Sequence, residues 1–470
     1  MHIPEYEKYD EGTDGIIYRL DNARIIKRMK YNPQIDILPS IVNELILLNN
    51  LDHHNIIKME DIYCDTEYGY IDIVMPYKGE PLLSYLFYNK LEDREKDMII
   101  MELLLVIEYL HGKKYVHGDL SLKNILIQKK DNKYQITLID FSTTTKFQRY
   151  YRSNYYPTDY VCPYELLDDK LFDLNNPKST DIFSLGCILY YIITGVPLFC
   201  GTNKNHQYTD IREKLINKKD TVFEKIKDHY LCKIIKKMIQ INPKKRLTIN
   251  KIIGNYIIQS KMASYGYDKI MHNEIVPILK KYPVDINLKI ELIETILQFC
   301  MIKNISYETI YLTINNLSQL KSQDFFKGII LFWLSINIIE NIYISVDDIS
   351  TLLRKKINHI NKNELLKKKI NMIKKFKYKI DNITVYQDTY NLNISVRKII
   401  IKDTLTMISF TDNIMVDINN INIGRNYDQI KNLIVSGDFE ALNHYNRLDY
   451  NDYNKEKCIS LINLIEKVFQ

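Results

Sequence analysis

The sequence predicts an α+β first half followed by an all-α helical bundle, and three observations carry that reading. Strand-like apolar runs such as Ile125-Leu126-Ile127 and Ile136-Thr137-Leu138-Ile139 belong to the first half. After about residue 260 helical periodicity takes over. Gly328-Ile329-Ile330-Leu331-Phe332-Trp333-Leu334-Ser335-Ile336 is then apolar on every side, which marks a helix surrounded by other helices. A chain of 470 residues predicts two or three domains.

Along the chain, Asp10-Glu11-Gly12-Thr13-Asp14-Gly15-Ile16-Ile17 reads as a turn with two glycines. Ala23-Arg24-Ile25-Ile26 is an apolar run ending at Lys27. Pro39 to Leu48 reads as a helix with an apolar stripe at Ile41, Leu45 and Leu48. In the second half Leu288, Leu292, Ile293, Ile296, Leu297 and Cys300 form one stripe. Ile310, Ile314 and Leu317 form another, and Leu366, Ile370 and Ile373 a third. Residues 382–423 alternate polar and apolar (Ile383-Thr384-Val385-Tyr386, Ile394-Ser395-Val396), which predicts strands. Residues 428–470 return to helical patterns. The region 382–470 carries no functional assignment.

Composition excludes several classes. The formal charge of +6 is modest, and runs such as Lys367-Lys368-Lys369 read as a solvated helix face; no nucleic-acid signature stands in the sequence. The longest apolar stretch, Gly328 to Ile339, is too short for a membrane span. Seven cysteines without a C-x-x-C pair, and no signal peptide, predict reduced buried thiols in an intracellular protein, cytoplasmic or nuclear.

The chemistry concentrates in His117-Gly118-Asp119-Leu120-Ser121-Leu122-Lys123-Asn124 and Asp140-Phe141-Ser142. A carboxylate (Asp119) is followed by an amide (Asn124) five residues on and a second carboxylate (Asp140) 21 residues on. Phosphoryl transfer needs such a set. One Asp accepts the proton of the attacking hydroxyl, while the Asn and the other Asp hold metal ions against the phosphates.

With these motifs in order, residues 1–258 resemble the eukaryotic protein kinase family. The resemblance implies a bilobal fold with an N-lobe over 1–77 and a C-lobe over 78–258, using ATP and Mg²⁺ on a protein substrate. Gly12 and Gly15 fall in the Gly-rich loop, with Asp10 where its first Gly usually sits. Lacking a Cβ, they let backbone N–H groups approach the phosphates. Ile17 joins the nucleotide contacts. Lys27 holds the α/β-phosphates and pairs with Glu44 of the αC helix. The segment Ile73-Val74-Met75-Pro76-Tyr77 resembles the adenine hinge, with Met75 as gatekeeper and contacts from Tyr77 onward, because Pro76 has no N–H. Asp119 is the catalytic base, and Asn124 and Asp140 are the metal ligands. Asp181, in Asp181-Ile182-Phe183-Ser184-Leu185-Gly186, anchors the catalytic loop. Glu165 and Arg246 form a buried structural ion pair.

The chain departs from the family at several points. Gly118 replaces the Arg that reads an activation-loop phosphate, so phosphorylation, for example at Ser153, is expected to be a weaker switch. Ser121 replaces a Lys, and Lys123 stands where tyrosine kinases place Arg, within reach of the γ-phosphate. Thr158, seven residues before Glu165, matches the Thr that supports serine/threonine specificity. A one-residue slip in the irregular Cys162-Pro163-Tyr164-Glu165 would instead put Pro157 there, as in tyrosine kinases. Ser142 in place of Gly adds a Cβ after Asp140.

Residues 269–381 resemble a cyclin box, most closely at Ser306-Tyr307-Glu308-Thr309-Ile310-Tyr311-Leu312-Thr313-Ile314-Asn315, and the αC segment resembles that of cyclin-dependent kinases. Lys289 and Glu294 match the Arg and Asp of the first cyclin helix, while Asn337 replaces a kinase-contacting Lys. This implies an intramolecular activator docked on the helix around Ile41–Leu51, holding Glu44 toward Lys27, with an effective concentration on the order of mM. Removing residues 260–470 should then abolish or sharply reduce activity. Two other readings stand beside the active kinase. One is a kinase-like scaffold that binds nucleotide and partners without turnover, suggested by Ser142, Ser121 and Asp10. The other is a small-molecule phosphotransferase of the aminoglycoside-kinase type. The Glu165–Arg246 pair argues against the latter.

Overall fold

Five strands open the chain: β1 (Glu7–Gly12), β2 (Gly15–Arg19), β3 (Arg24–Lys30), β4 (Asp61–Asp65) and β5 (Tyr70–Pro76). They form a sheet in the order β1-β2-β3-β5-β4. The pairs β1–β2 and β2–β3 are antiparallel, with Gly12 opposite Gly15 and Ile17 opposite Lys27. A helix, α1 (Pro39–Asn50), stands between β3 and β4 in the chain. Its stripe of Ile41, Leu45 and Leu48 is buried, as the periodicity predicted. The computed structural model describes residues 7–12, 15–32, 37–130, 133–146, 160–167, 176–200, 204–217, 221–265, 267, 282–339, 344–354, 356, 361–375, 405, 409, 425–436 and 455–469.

Two units emerge, and neither is a single run of sequence. The first comprises Met1–Arg28, Leu47–Asp61 and Ile73–Ile275; the second comprises Met29–Ile46, Ile62–Asp72 and Val276–Gln470.

The first unit is mostly helical beyond β5. After β6 (Glu80–Pro81) come α2 (Leu82–Tyr88), α3 (Asp93–Gly112), β7 (Tyr115–Val116), β8 (Ile125–Lys130), β9 (Lys133–Leu138) and β10 (Thr145–Lys146). Then follow α4 (Tyr164–Leu167), α5 (Lys178–Thr194), α6 (Lys204–Arg212), α7 (His229–Met238), α8 (Ile249–Ile253) and α9 (Tyr256–Ser264). Helix α3 buries Ile99, Ile100, Met101, Glu102, Leu103 and Tyr109, which point around most of its circumference. It is therefore a central helix rather than a surface one. Helix α5 is likewise buried along nearly its whole length, and Gly195 ends it at φ +73° in the left-handed region.

Buried on α3, Glu102 accepts hydrogen bonds from the Ile136 N–H (3.0 Å), Asn55 Nδ2 (2.9 Å) and the Tyr267 hydroxyl (3.2 Å). Burial raises its carboxyl above the ordinary value despite these donors. Because the folded chain then binds this proton more tightly than the unfolded one, the Glu102 contribution to stability is full below the unfolded value. It is lost as pH rises through the folded value. Glu102→Gln should remove that slope and be more stable than the parent at neutral pH. Glu102→Ala should cost about 1–3 kcal/mol for each donor left without this acceptor. Urea unfolding from pH 5 to 8 checks both, and an unchanged slope in Glu102→Gln would count against the assignment.

The second unit contains α10 (Ile286–Lys303), α11 (Glu308–Leu317), α12 (Phe325–Ile339), α13 (Val346–Leu353), α14 (Lys362–Lys375), α15 (Arg425–Ser436) and α16 (Lys455–Phe469). Helix α12 is buried from Gly328 to Asn337, as its all-round apolar sequence predicted. Gly328 lets the two helices pack closely there, since a Cβ would lie 2.5 Å from Leu292 Cδ2 on α10 and that side chain would have to shift. Phe299 meets Phe332 edge-on at 5.9 Å. Lys369 is buried on α14 with its Nζ 3.7 Å from the centroid of the Trp333 ring, so a cation–π contact faces the core. Ser345 caps α13 reciprocally with Asp348. Glu466 of α16 pairs with Lys431 of α15 at 2.9 Å, and Glu294 of α10 accepts from Ser460 of α16 at 2.9 Å.

This unit also holds Tyr63, whose ring lies 5.2 Å from Lys374 Nζ of α14, and Cys64, whose Sγ is 3.3 Å from the Tyr31 hydroxyl.

Three expectations change, the first being the run Lys367-Lys368-Lys369, read as a solvated helix face, of which Lys369 is buried against Trp333. Within 382–423 only Leu405 and Ser409 are described, and both are helical rather than extended; the Ser409 hydroxyl donates to the Leu405 carbonyl one turn back. Leu405 and Ile408 also recur at helical spacing, so the alternation there was ambiguous in period. The named strand segments 383–386 and 394–396 lie outside the described residues. The seven cysteines are free, but Cys200 is exposed and Cys64 and Cys232 only half-buried, so not all are core thiols. Among the described residues, no helix is long and apolar enough to cross a membrane.

Candidate active site

The hairpin of β8 and β9 positions the two metal-ligand candidates. Ile125 pairs with Leu138, so the residues just outside the ladder, Asn124 before β8 and Asp140 after β9, emerge at the same end. The Ile139 N–H donates to the Asn124 carbonyl at 2.9 Å and locks this end. Asn124 turns back on the preceding loop, its Nδ2 donating to the Asp119 carboxylate at 2.8 Å and to the Asp119 carbonyl at 2.9 Å. The carboxylate and amide spaced five residues apart in the sequence are thus in direct contact.

Asp181, buried at the start of α5, holds the loop from below. Its carboxylate accepts from the His117 N–H (2.9 Å), the Gly118 N–H (3.1 Å) and His111 Nε2 (2.9 Å). The anchoring role expected of Asp181 is therefore realised through two backbone amides. His111 was not anticipated; the only sequence signal was a His in the last turn of an apolar helix. The His117 ring accepts the Asp119 N–H at Nδ1 (3.3 Å) and donates from Nε2 to the Ile139 carbonyl (3.2 Å), which fixes its tautomer. Phe141, fully buried, packs edge-on against that ring at 5.3 Å.

Gly118 sits at φ +84°, and a Cβ there would come within 3.1 Å of the Thr143 carbonyl. The hydroxyls of Thr143 and Thr144 both donate to the His117 carbonyl, at 2.9 and 3.2 Å. Downstream, β10 pairs with β7, Thr145 opposite Val116. The loop after Asp140 is thereby tied to the catalytic loop by side-chain and backbone bonds together.

Asp140 is itself in the left-handed region, at φ +63°, a conformation that costs a non-glycine residue about 1–2 kcal/mol. Lys27 Nζ lies 4.0 Å from its carboxylate. Burial pushes the Asp140 carboxyl up, but Lys27, hydrogen bonding from Ser142 and the His117 ring outweigh it, and the net shift is downward. Asp140 therefore stays ionised throughout the neutral range. Ser142 is not among the described residues with positive φ, so its Cβ brings no backbone strain.

The nucleotide-side candidates are distributed along the sheet. Gly12 and Gly15 face each other across the β1–β2 hairpin, Ile17 lies opposite Lys27, and Met75 is buried on β5. Tyr77 differs from expectation. Its N–H donates to the Ala23 carbonyl at 2.7 Å, so its amide is already used and hinge donors begin after it. Its ring meets Tyr9 edge-on at 6.0 Å, and the Arg19 guanidinium lies 5.0 Å from its centroid. Tyr9 and Arg19 had no motif to reveal them.

Glu44 is buried on α1, in the part that belongs to the second unit. Lys123 is exposed after Leu122, at the rim of a groove beside α2. Thr158 and Ser153 lie outside the described residues. Glu165 and Arg246 form the expected pair, bidentate at 2.6 Å for both bonds.

The protein kinase domain model matches residues 12–257, just over half of the chain. The chain belongs to the protein kinase family. Among its relatives, calcium-dependent protein kinase 5 of Plasmodium berghei (strain Anka) is 26% identical over 296 residues, covering 59% of this chain and 50% of the relative. Calcium-dependent protein kinase 3 of Plasmodium yoelii yoelii is 24% identical over 289 residues, covering 60% of this chain and 53% of the relative. The chain thus spans about half the length of the curated relatives it matches. Neither is a cyclin-dependent kinase, and the matched kinase domain ends before the region compared with cyclins.

Proposed function

We propose that the chain is an ATP- and Mg²⁺-dependent serine/threonine protein kinase held active by its own helical region. The observation that carries the kinase reading is the contact of Asp119 with Asn124, with Asp140 beside Lys27. Asp119 accepts the proton of the attacking hydroxyl. Lys27 steadies the α/β-phosphates, Lys123 neutralises the γ-phosphate, and Gly12, Gly15, Ile17, Met75 and the carbonyl side of Tyr77 hold the nucleotide. With its NH₂ turned to Asp119, Asn124 presents its amide oxygen; together with the ionised Asp140 this is an oxygen donor set that suits Mg²⁺. Magnesium at Asn124 and Asp140 would neutralise phosphate charge. Serine/threonine specificity rests on Thr158, seven residues before Glu165. The free thiols accord with action inside the cell.

The cis-activator reading is supported by the composition of the second unit. Pro39–Ile46, which carries Glu44, and Ile62–Asp72 cluster with Val276–Gln470. Lys374 over the Tyr63 ring is a contact between β4 and α14. In this reading the cyclin-like region 269–381 braces α1 so that Glu44 meets Lys27.

The test is transfer from γ-labelled ATP to a generic protein and to the chain itself, with phosphoamino acid analysis. Phosphoserine and phosphothreonine are expected; phosphotyrosine alone would overturn the specificity. Truncation after residue 265 should abolish most transfer. Because truncation also removes partners of Met29–Ile46, Tyr63→Lys in the full chain provides the second arm. Repelling Lys374, it should lower transfer roughly two- to fivefold, the size of a contact of 0.5–1 kcal/mol. Full activity in both variants would sink the activator role.

A further inference from the structure

The positive charge of this chain is gathered in one place. Of its 64 basic and 58 acidic residues, residues 225–251 hold nine and one, which leaves 55 and 57 for the rest of the chain. Outside this segment the protein is therefore slightly acidic. The one acid, Asp228, is already committed. Its side chain caps α7, accepting from the Tyr230 and Leu231 N–H groups at 2.9 and 3.0 Å, and pairs with Lys261 at 3.3 Å. The one arginine, Arg246, is buried in the pair with Glu165. Eight lysines remain, and all but Lys236 are exposed. Lys233, Lys237 and Lys245 form no ion pair among the described residues.

The fold lines these charges up. Tyr230, Lys233 and Lys237 fall on one face of α7 at successive turns. Lys233 Nζ lies 5.8 Å from the centroid of the Tyr230 ring, which is 55% exposed. The Leu247 N–H donates to the Lys237 carbonyl at 3.2 Å, so the turn bearing Lys244 and Lys245 returns beside the end of the helix and continues the row. The negative end of the helix dipole accounts for Lys236 and Lys237 in the last turn, but not for the other six.

We propose that this face binds single-stranded nucleic acid through its phosphates, without reading sequence. A row of point charges of one sign suits a linear polyanion. Lysine lacks the planar fork with which arginine recognises bases bidentately, so the exposed cations can hold a backbone but not select a base. Tyr230, exposed beside a cation, is a platform on which one base stacks. A membrane fits less well. The apolar residues of α7, Leu231, Ile234, Ile235 and Met238, are buried, so the helix has no face to insert. The modest total of +6 conceals this surface, because the acidic excess elsewhere offsets it. Binding here does not depend on phosphoryl transfer.

The test is fluorescence anisotropy of labelled single-stranded oligonucleotides of about twenty nucleotides, titrated with the full chain. Oligonucleotides of different sequence should bind within a few-fold of one another and more tightly than a duplex of the same length. With roughly four to seven lysines on phosphates, affinity should fall with salt at a log–log slope of about −3 to −5. Lys233→Glu combined with Lys237→Glu should weaken binding more than about tenfold and make the slope shallower by roughly 1.5. Tyr230→Ala should weaken it roughly five- to hundredfold with the slope unchanged, while Tyr230→Phe should bind like the parent. All these positions are exposed, so melting temperatures should stay near the parental value. Absent binding, or binding that the paired lysine substitutions leave unchanged, would overturn the inference. Adsorption to phosphatidylserine vesicles without oligonucleotide binding would replace it with a membrane surface. Polyglutamate binding as tight as the oligonucleotides, indifferent to Tyr230→Ala, would replace it with a site for acidic polypeptides.

Discussion

Asp119→Asn should lower phosphoryl transfer by about 10²–10⁴-fold, the usual contribution of a positioned general base. The substitution keeps the size and shape of the side chain, and the new amide oxygen can still accept from Asn124 Nδ2, 2.8 Å away in the parent. The backbone anchors are untouched, since Asp181 grips the His117 and Gly118 N–H groups rather than the Asp119 side chain. Nucleotide binding and the melting temperature should therefore stay near parental values. Single-turnover transfer with saturating ATP and Mg²⁺ makes the comparison. Activity within a few-fold of the parent would show that Asp119 is not the base.

Arg246→Met should destabilise the chain by about 3–5 kcal/mol, the cost of leaving a buried carboxylate unpaired. Arg246 does more than pair with Glu165. Its Nη1 donates to the Ser179 carbonyl and its Nε to the Gln240 carbonyl, both at 2.8 Å, and its guanidinium carbon is 4.7 Å from the Phe183 ring centroid. One side chain thus joins α4, α5 and the turn before α8. For a unit of this size the loss corresponds to a fall in Tm of roughly 10 °C. Adding Glu165→Gln to Arg246→Met should recover part of the loss, because the unpaired charge disappears with it. Guanidinium unfolding of both variants checks this, and simple additivity of two independent losses would refute the buried-pair account.

Much of the catalytic centre was legible because its residues are close in sequence. Asp119 and Asn124 sit on one loop, and a two-stranded hairpin fixes Asp140 beside them, so local spacing nearly determines geometry. Glu165 and Arg246, 81 residues apart, were legible only through resemblance to a family. Other features had no sequence signal. That the Tyr77 N–H goes to Ala23 depends on how two distant backbones meet. The left-handed φ of Tyr160 contradicts the preference of its residue type, and only tertiary context imposes it. In the second half the helices were legible from their period, and Gly328 proved to be a close-packing residue. Periodicity alone does not separate one helical bundle from another, so the cyclin resemblance rests on wording rather than physics.

The alternation of the two units along the chain has a temporal consequence for biosynthesis. Met29–Ile46 clusters with the nearby Ile62–Asp72 and with residues that begin at Val276. At a synthesis rate of 5–20 residues per second, the ribosome needs roughly 10–50 s to deliver that partner after the segment emerges. During that interval the apolar faces of Ile41, Val42 and Leu45, buried in the finished chain, lack their eventual surroundings. Slowed translation of the second half should raise aggregation of this protein more than it would for a kinase domain completed within one stretch of sequence.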